Sequence, residues 1–177
     1  TSETERILSP EFKSPNENIY YIPGVTVTDK IDWDIIKSNF DLLTDLQAHH
    51  QITAAISTKA GGFGEAIALM TFGNHIGADL ALSDISDIVK AQFAGFIFTS
   101  PEEIAGVAKI GRTMTDFNLV VNGLSLSGDK LLSSYENPLE SVYPTLFEQD
   151  DSLVEVETKV SPAPIQASAK IETPDRK

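Results

Sequence analysis

No cysteine occurs anywhere in the chain, which excludes disulfides, thiolate metal sites and cysteine nucleophiles together. Positive charge is scarce. Lys and Arg number 13 against 26 Asp and Glu, for a formal charge of −13. Such a surface repels nucleic acid and anionic membranes, and no Lys/Arg cluster relieves it. No apolar run approaches the ~20 residues of a membrane span, and the opening TSETERILSP is too polar for a secretory signal. Neither H-x-x-x-H nor HExxH occurs among the three histidines, so no metal site is expected; without a G-x-S-x-G elbow a hydrolase triad has no support either. These absences describe an intracellular, cytoplasmic protein that binds neither nucleic acid nor membrane. An initiator methionine is also missing, which fits a piece of a longer protein or a processed chain.

What is present suffices for one well-packed domain. With 177 residues and 41% hydrophobic content, one core plus tails is expected, with a module over 1–147. After Phe147 the acidic run Glu148-Gln149-Asp150-Asp151 and the Pro/Ala/Ser-rich stretch Ser161–Lys177 read as a linker over 148–177.

The chain is organised around Ile52–Gly73, ITAAISTKAGGFGEAIALMTFG. Ile52–Ile56 reads as a buried strand, Gly61, Gly62 and Gly64 as a sharp turn, and Glu65 onward as a helix. Such a turn leaves the first helical N–H groups without intrahelical partners, backed by the positive end of the helix dipole. A phosphate is the natural occupant, bound by the amides of Gly61, Gly62, Phe63 and Gly64 with Lys59 assisting. The alternative stands beside it: the glycines only let the helix pack closely, and Lys59 is an ordinary solvated lysine. Neither G-x-x-x-x-G-K-[ST] nor G-x-G-x-x-G is complete.

Along the rest of the chain, NIYYI (Asn18–Ile22) is a strand between turn signals, and Asp32 caps a helix running to about Ala48 with Ile36, Phe40, Leu43 and Leu46/Gln47 as its apolar stripe. Trp33 is expected in the core near the start of that helix. His49 and His50 close it, and His75 follows the second helix. Ala78–Leu82, Phe93–Thr99, Val107–Ile110 and Phe117–Val121 read as strands, with Ser83–Ala91 a short polar helix or loop. Ser100–Glu103 opens a single helical turn, and Gly111–Asp116 is a polar connection. Asn122-Gly123 is a type I′ hairpin signal returning through Leu124–Leu126, and Ser127 caps a helix over Gly128–Tyr135.

Several words along this order resemble the C-terminal module of the aminoimidazole ribonucleotide synthetase superfamily, and within it the phosphoribosylformylglycinamidine synthase family, second copy. They are Arg6–Lys13 (RILSPEFK), NIYYIPG, Ile31-Asp32-Trp33, the Asn39–Leu46 run, Gly61–Ala66, Phe72–Gly77, Ile110–Thr113 and Asn137–Thr145. The resemblance implies an α/β (α+β) fold, a mixed sheet covered by helices. It also implies a ligase of purine biosynthesis that uses ATP, Mg²⁺ and glutamine-derived ammonia to convert formylglycinamide ribonucleotide to its amidine. The implied partners are an ATP-binding N-terminal module and a glutaminase domain of the same polypeptide. Catalytic copies carry Asp before the paired glycines; here Ala60 stands there, and alanine cannot orient ligand hydroxyls or Mg²⁺. This copy is therefore expected to lack catalytic residues and ligase activity by itself, with no cofactor assigned to it. The alternatives are a purely structural module of that enzyme, or a relative such as a selenophosphate synthetase, a thiamine monophosphate kinase or a hydrogenase maturation protein.

Overall fold

The computed structural model describes residues 7–26 and 31–144, so the expected linker over 148–177 lies outside the described residues. The strands are β1 (Asn18–Ile22), β2 (Val25–Thr26), β3 (Ala54–Ser57), β4 (Gly77–Leu80), β5 (Gln92–Phe93), β6 (Phe96–Ser100), β7 (Ala108–Met114), β8 (Asn118–Val121) and β9 (Leu124–Ser127). The helices are α1 (Trp33–Ala48), α2 (Gly62–Phe72) and α3 (Gly128–Glu140), with a 3₁₀ helix over Ile85–Val89. Seven strands form one sheet in the order β3-β6-β1-β7-β4-β8-β9, and β2 pairs with β5 as a separate ribbon. All of the large sheet's pairs are antiparallel except β4 with β8. The fold is thus a mixed sheet with helices, as the sequence words imply.

β1 runs through the middle and is buried on both faces, which explains its unbroken aromatic and β-branched content. On one face Ile19 meets Ile97, Ala78, Leu80 and Ile110 under the α2 residues Phe63, Ala66, Ile67 and Met70. Their spacing of three and four puts all four α2 side chains on one stripe. Burial of Phe63, Ile67 and Met70 contributes about 1.5–3 kcal/mol each. On the other face Tyr20, Ile22, Phe96 and Phe98 meet Leu46 of α1 and Ile104, with Tyr20 and Phe98 stacked at 5.2 Å.

Four expectations are corrected. Gly111–Asp116 is no connection, since most of it belongs to β7. Its polar residues tie strands together: the Thr113 hydroxyl donates to Ser14 O at 2.8 Å and accepts the Glu17 N–H at 2.8 Å, and Arg112 Nε donates to Asn18 Oδ1 at 3.2 Å. Phe93–Thr99 is not one strand, because Ala94 turns left-handed at φ +56 between β5 and β6. The Asn39 amide of α1 holds that break by donating to Pro23 O at 2.8 Å and Ala94 O at 3.0 Å. Ser100–Glu103 opens no helix; the Ser100 hydroxyl accepts the Glu102 N–H at 3.1 Å in a tight turn instead. Trp33 is no core residue, being 70% exposed. The Asp32 cap forms as expected, its Oδ1 accepting N–H groups of Asp34 and Ile35 at 3.0 and 3.2 Å. Ser127 does precede α3, but its side chain makes no capping bond and the helix continues past Tyr135 to Glu140 with Pro138 inside it.

Candidate functional site

β3 leads out of the sheet at Ser57, and the chain turns over Thr58–Gly61 into α2. The turn is held from both sides. Thr58 N–H donates to Gly95 O at 2.9 Å, while Lys59 O accepts N–H groups from Gly62 at 2.9 Å and from Gln92 at 3.2 Å. Gly62 sits at φ +69, a conformation that an L side chain enters only with strain. A Cβ there would lie 2.3 Å from Lys90 O, and one at Gly64 would lie 2.4 Å from Ile88 Cγ2. Two of the three glycines therefore serve close approach: the segment Ile88–Lys90 lies directly on the turn.

The five expected phosphate-binding residues stand together at this helix start, in different surroundings. Lys59 and Gly61 are exposed, Gly62 and Phe63 are buried, and Gly64 is half-buried. Phe63 belongs to the core and packs edge-on to Tyr21 with centroids 5.3 Å apart. The Gly61 N–H donates to Glu65 Oε2 at 2.9 Å. Glu65 thereby places a carboxylate at the positive end of the α2 dipole, where an anion is favoured, and forms a charge-assisted hydrogen bond. The recess between Lys59 and Glu65, also lined by Ser57 and Ala66, holds only about 10 Å³, room for one water, and none of Gly61, Gly62, Phe63 and Gly64 lines it.

Beside the turn lies a larger cleft of about 320 Å³, at the ends of β1 and β4 and the start of β7. Its walls are Tyr21, Phe63, Ala81, Leu82, Ala108 and Ile110, with Ser83 as the polar residue; Lys109 pairs with Tyr20, so its side chain leaves on the opposite sheet face. The Tyr21 hydroxyl donates to the Gln92 side chain, which ties β1 to the β5 ribbon. Lys109 Nζ is 4.0 Å from a Glu103 carboxylate oxygen. Apolar walls of this kind suit binding of a flat or apolar group. Sequence reasoning missed this cleft because it joins residues from four elements, and no local motif signals it.

The histidines do not converge. His49 ends α1 with Nδ1 2.8 Å from Asp45 O, whereas His75 stacks on Phe117 at 4.5 Å. Among the described residues, no group of three or more His, Asp or Glu side chains could hold a metal ion, and no helix is long and apolar enough to cross a membrane.

No family model and no curated protein matches the sequence. Solved structures do match in fold. A phosphoribosylformylglycinamidine synthase II from Thermotoga maritima aligns with a TM-score of 0.62 at 10% identity, covering 73% of this chain and 28% of its own. A T. maritima PurL complexed with ATP gives 0.63 at 10% identity over the same shares. A thiamine monophosphate kinase from Aquifex aeolicus gives 0.51 at 13% identity, covering 71% of this chain and 56% of the kinase. The likeness is one of fold alone. The chain spans under a third of the PurL chains.

Proposed function

We propose that this chain is a scaffold module of an ATP-using, glutamine-dependent ligase of purine synthesis, and that the chemistry on formylglycinamide ribonucleotide, ATP and Mg²⁺ occurs in other modules. The observation that carries this reading is the closed turn: Glu65 occupies the Gly61 amide and Ile88–Lys90 covers Gly62 and Gly64. A phosphate arriving there meets a carboxylate first, and two unit charges ~4 Å apart near a protein surface repel by about 4 kcal/mol. Ala60, where the family resemblance implies an acidic residue in catalytic copies, points the same way. Support for the enzyme class comes from the fold shared with a PurL complexed with ATP. In this reading the glutaminase domain and ATP-binding module are neighbours in one cytoplasmic polypeptide. The test is turnover: the full gene product should convert formylglycinamide ribonucleotide with ATP and glutamine, and residues 1–177 alone should not. Turnover by residues 1–177 alone would refute the scaffold assignment.

A second reading keeps a ribonucleotide phosphate on the amides of Gly61, Gly62, Phe63 and Gly64. The exposure of Lys59 beside Gly61 favours it. It requires Glu65 to swing away, so Glu65→Ala should tighten phosphate binding at this turn. Unchanged binding in that variant would exclude the second reading.

A further inference from the structure

β9 forms one edge of the seven-stranded sheet and is paired only with β8. The turn Asn122-Gly123, at φ +49 and +82, joins these strands through a two-residue loop, so Val121 and Leu124 form a hydrogen-bonded pair. Such pairs alternate along an antiparallel ladder. Leu119 with Leu126 is the next one, and the Gly128 N–H bond to Phe117 O at 2.9 Å keeps the same parity. The backbone N–H and C=O of Ser125 therefore point away from β8, off the edge of the sheet.

Proteins blunt such an edge with charge, with proline or with a covering element. Phe117–Gly128 contains no charged residue and no proline, in a chain that is 22% charged. Nor are its apolar side chains covered, since Leu124 is 64% and Leu126 51% exposed among the described residues. They stand opposite Val121 and Leu119, both core residues, and so carry the buried face of the sheet outward. The other edge, β3, differs: none of its residues is exposed.

The natural occupant of an open strand edge is another strand, bound through the backbone. We propose that β9 pairs with β9 of a second copy of this chain, antiparallel about a two-fold axis at Ser125. In that register the strand is its own complement. Ser125 exchanges both backbone bonds with the partner's Ser125, and Ser127 falls opposite the partner's Gly123. Leu124 meets the partner's Leu126 on one face, and Leu126 the partner's Leu124, so four leucines extend the core line across the junction. Each copy carries −13, but no charge lies in the stretch that pairs, so no like charges are forced together there. A four-residue strand makes a small contact, and the association is correspondingly weak. This inference is independent of the proposed function.

The test is sedimentation equilibrium of chain 1–177 at high salt, where the repulsion between two acidic copies is screened. The mass doubles between about 10 μM and about 1 mM, the range of a small interface. Ser125→Pro removes the outward N–H and leaves every bond to β8 in place, so it keeps the parent's melting curve at low concentration and weakens association at least about ten-fold. Leu124→Lys places a cation beside the partner's Leu126 without touching the backbone; it weakens association similarly and decides the matter if the proline variant fails to fold. A single-copy mass up to about 1 mM overturns the proposal, and so does a dimer that the variants leave intact. Hydrogen exchange at the Ser125 amide gives an independent reading. Protection that rises with the dimer population supports the pairing, whereas protection equal at all concentrations overturns it and marks an added strand of another source.

Discussion

Replacing Gly62 by alanine tests whether Ile88–Lys90 seals the glycine turn. The added Cβ does two things. It places an L side chain at φ +69, and it points 2.3 Å from Lys90 O and 3.0 Å from Lys90 C, which are backbone atoms that cannot swing aside. Left-handed strain alone costs about 1–2 kcal/mol. Lifting the segment off the turn also strains the Gln92 N–H bond to Lys59 O and loosens Ile88 from the core, adding about 2–3 kcal/mol. The sum is about 3–5 kcal/mol, a large part of the ~5–15 kcal/mol that holds an ordinary domain together. Gly106 supplies the control: it sits at φ +79 with nothing within 4 Å of its would-be Cβ, so Gly106→Ala carries strain alone, about 1–2 kcal/mol. Urea unfolding of the three proteins, followed by circular dichroism, gives both differences. At 2–4 °C per kcal/mol, the melting temperature should fall by about 6–20 °C for Gly62→Ala and less than half as much for Gly106→Ala. Equal losses in the two variants would refute close packing on the turn.

Three further outcomes are expected. Thr58 is 2% exposed and its hydroxyl has no hydrogen-bond partner among the described residues, so Thr58→Val should stabilise by about 1–2 kcal/mol, and a lower melting temperature would contradict this. Asn39→Ala should cost about 2–3 kcal/mol through its two lost carbonyl partners, and Asn39→Asp should cost more by setting a carboxylate against them; thermal melts that rank the two the other way would sink the clamp. The Glu11 carboxyl is lowered from 4.5 to about 2, first by hydrogen bonding with the Ser9 side chain, then by its own backbone N–H and by Lys13. Its stabilisation is therefore full above about pH 4.5 and lost as pH falls toward 2, so acid unfolding curves of Glu11→Gln should be flatter in that window than those of the parent.

Local signals were legible where they act locally. The Asp32 cap depends only on the next three residues, and Asn122-Gly123 adopts the two positive φ values, +49 and +82, that a type I′ hairpin needs. β1 was legible because both of its faces are buried, so its composition does not alternate. The misses share a different cause. β7 looks polar because Arg112 and Thr113 serve partners 94 to 99 residues away, which no window along the chain contains. The stripe of α1 was half legible: Leu43 and Leu46 do pack on the sheet, but Asn39, a polar residue, joins them there to hold two carbonyls, while Trp33 and Phe40 are left exposed. At the turn, the glycines were visible, whereas their neighbours Ile88 and Lys90 come from a segment with no motif.

The most direct measurement is the amide spectrum of Gly61, Gly62, Phe63 and Gly64 during titration with inorganic phosphate and then ribose 5-phosphate. With Glu65 seated on the Gly61 N–H, these four resonances should stay in place through the millimolar range while the fold remains intact. Saturable shifts confined to them would contradict a closed turn and make this module a ligand-binding one.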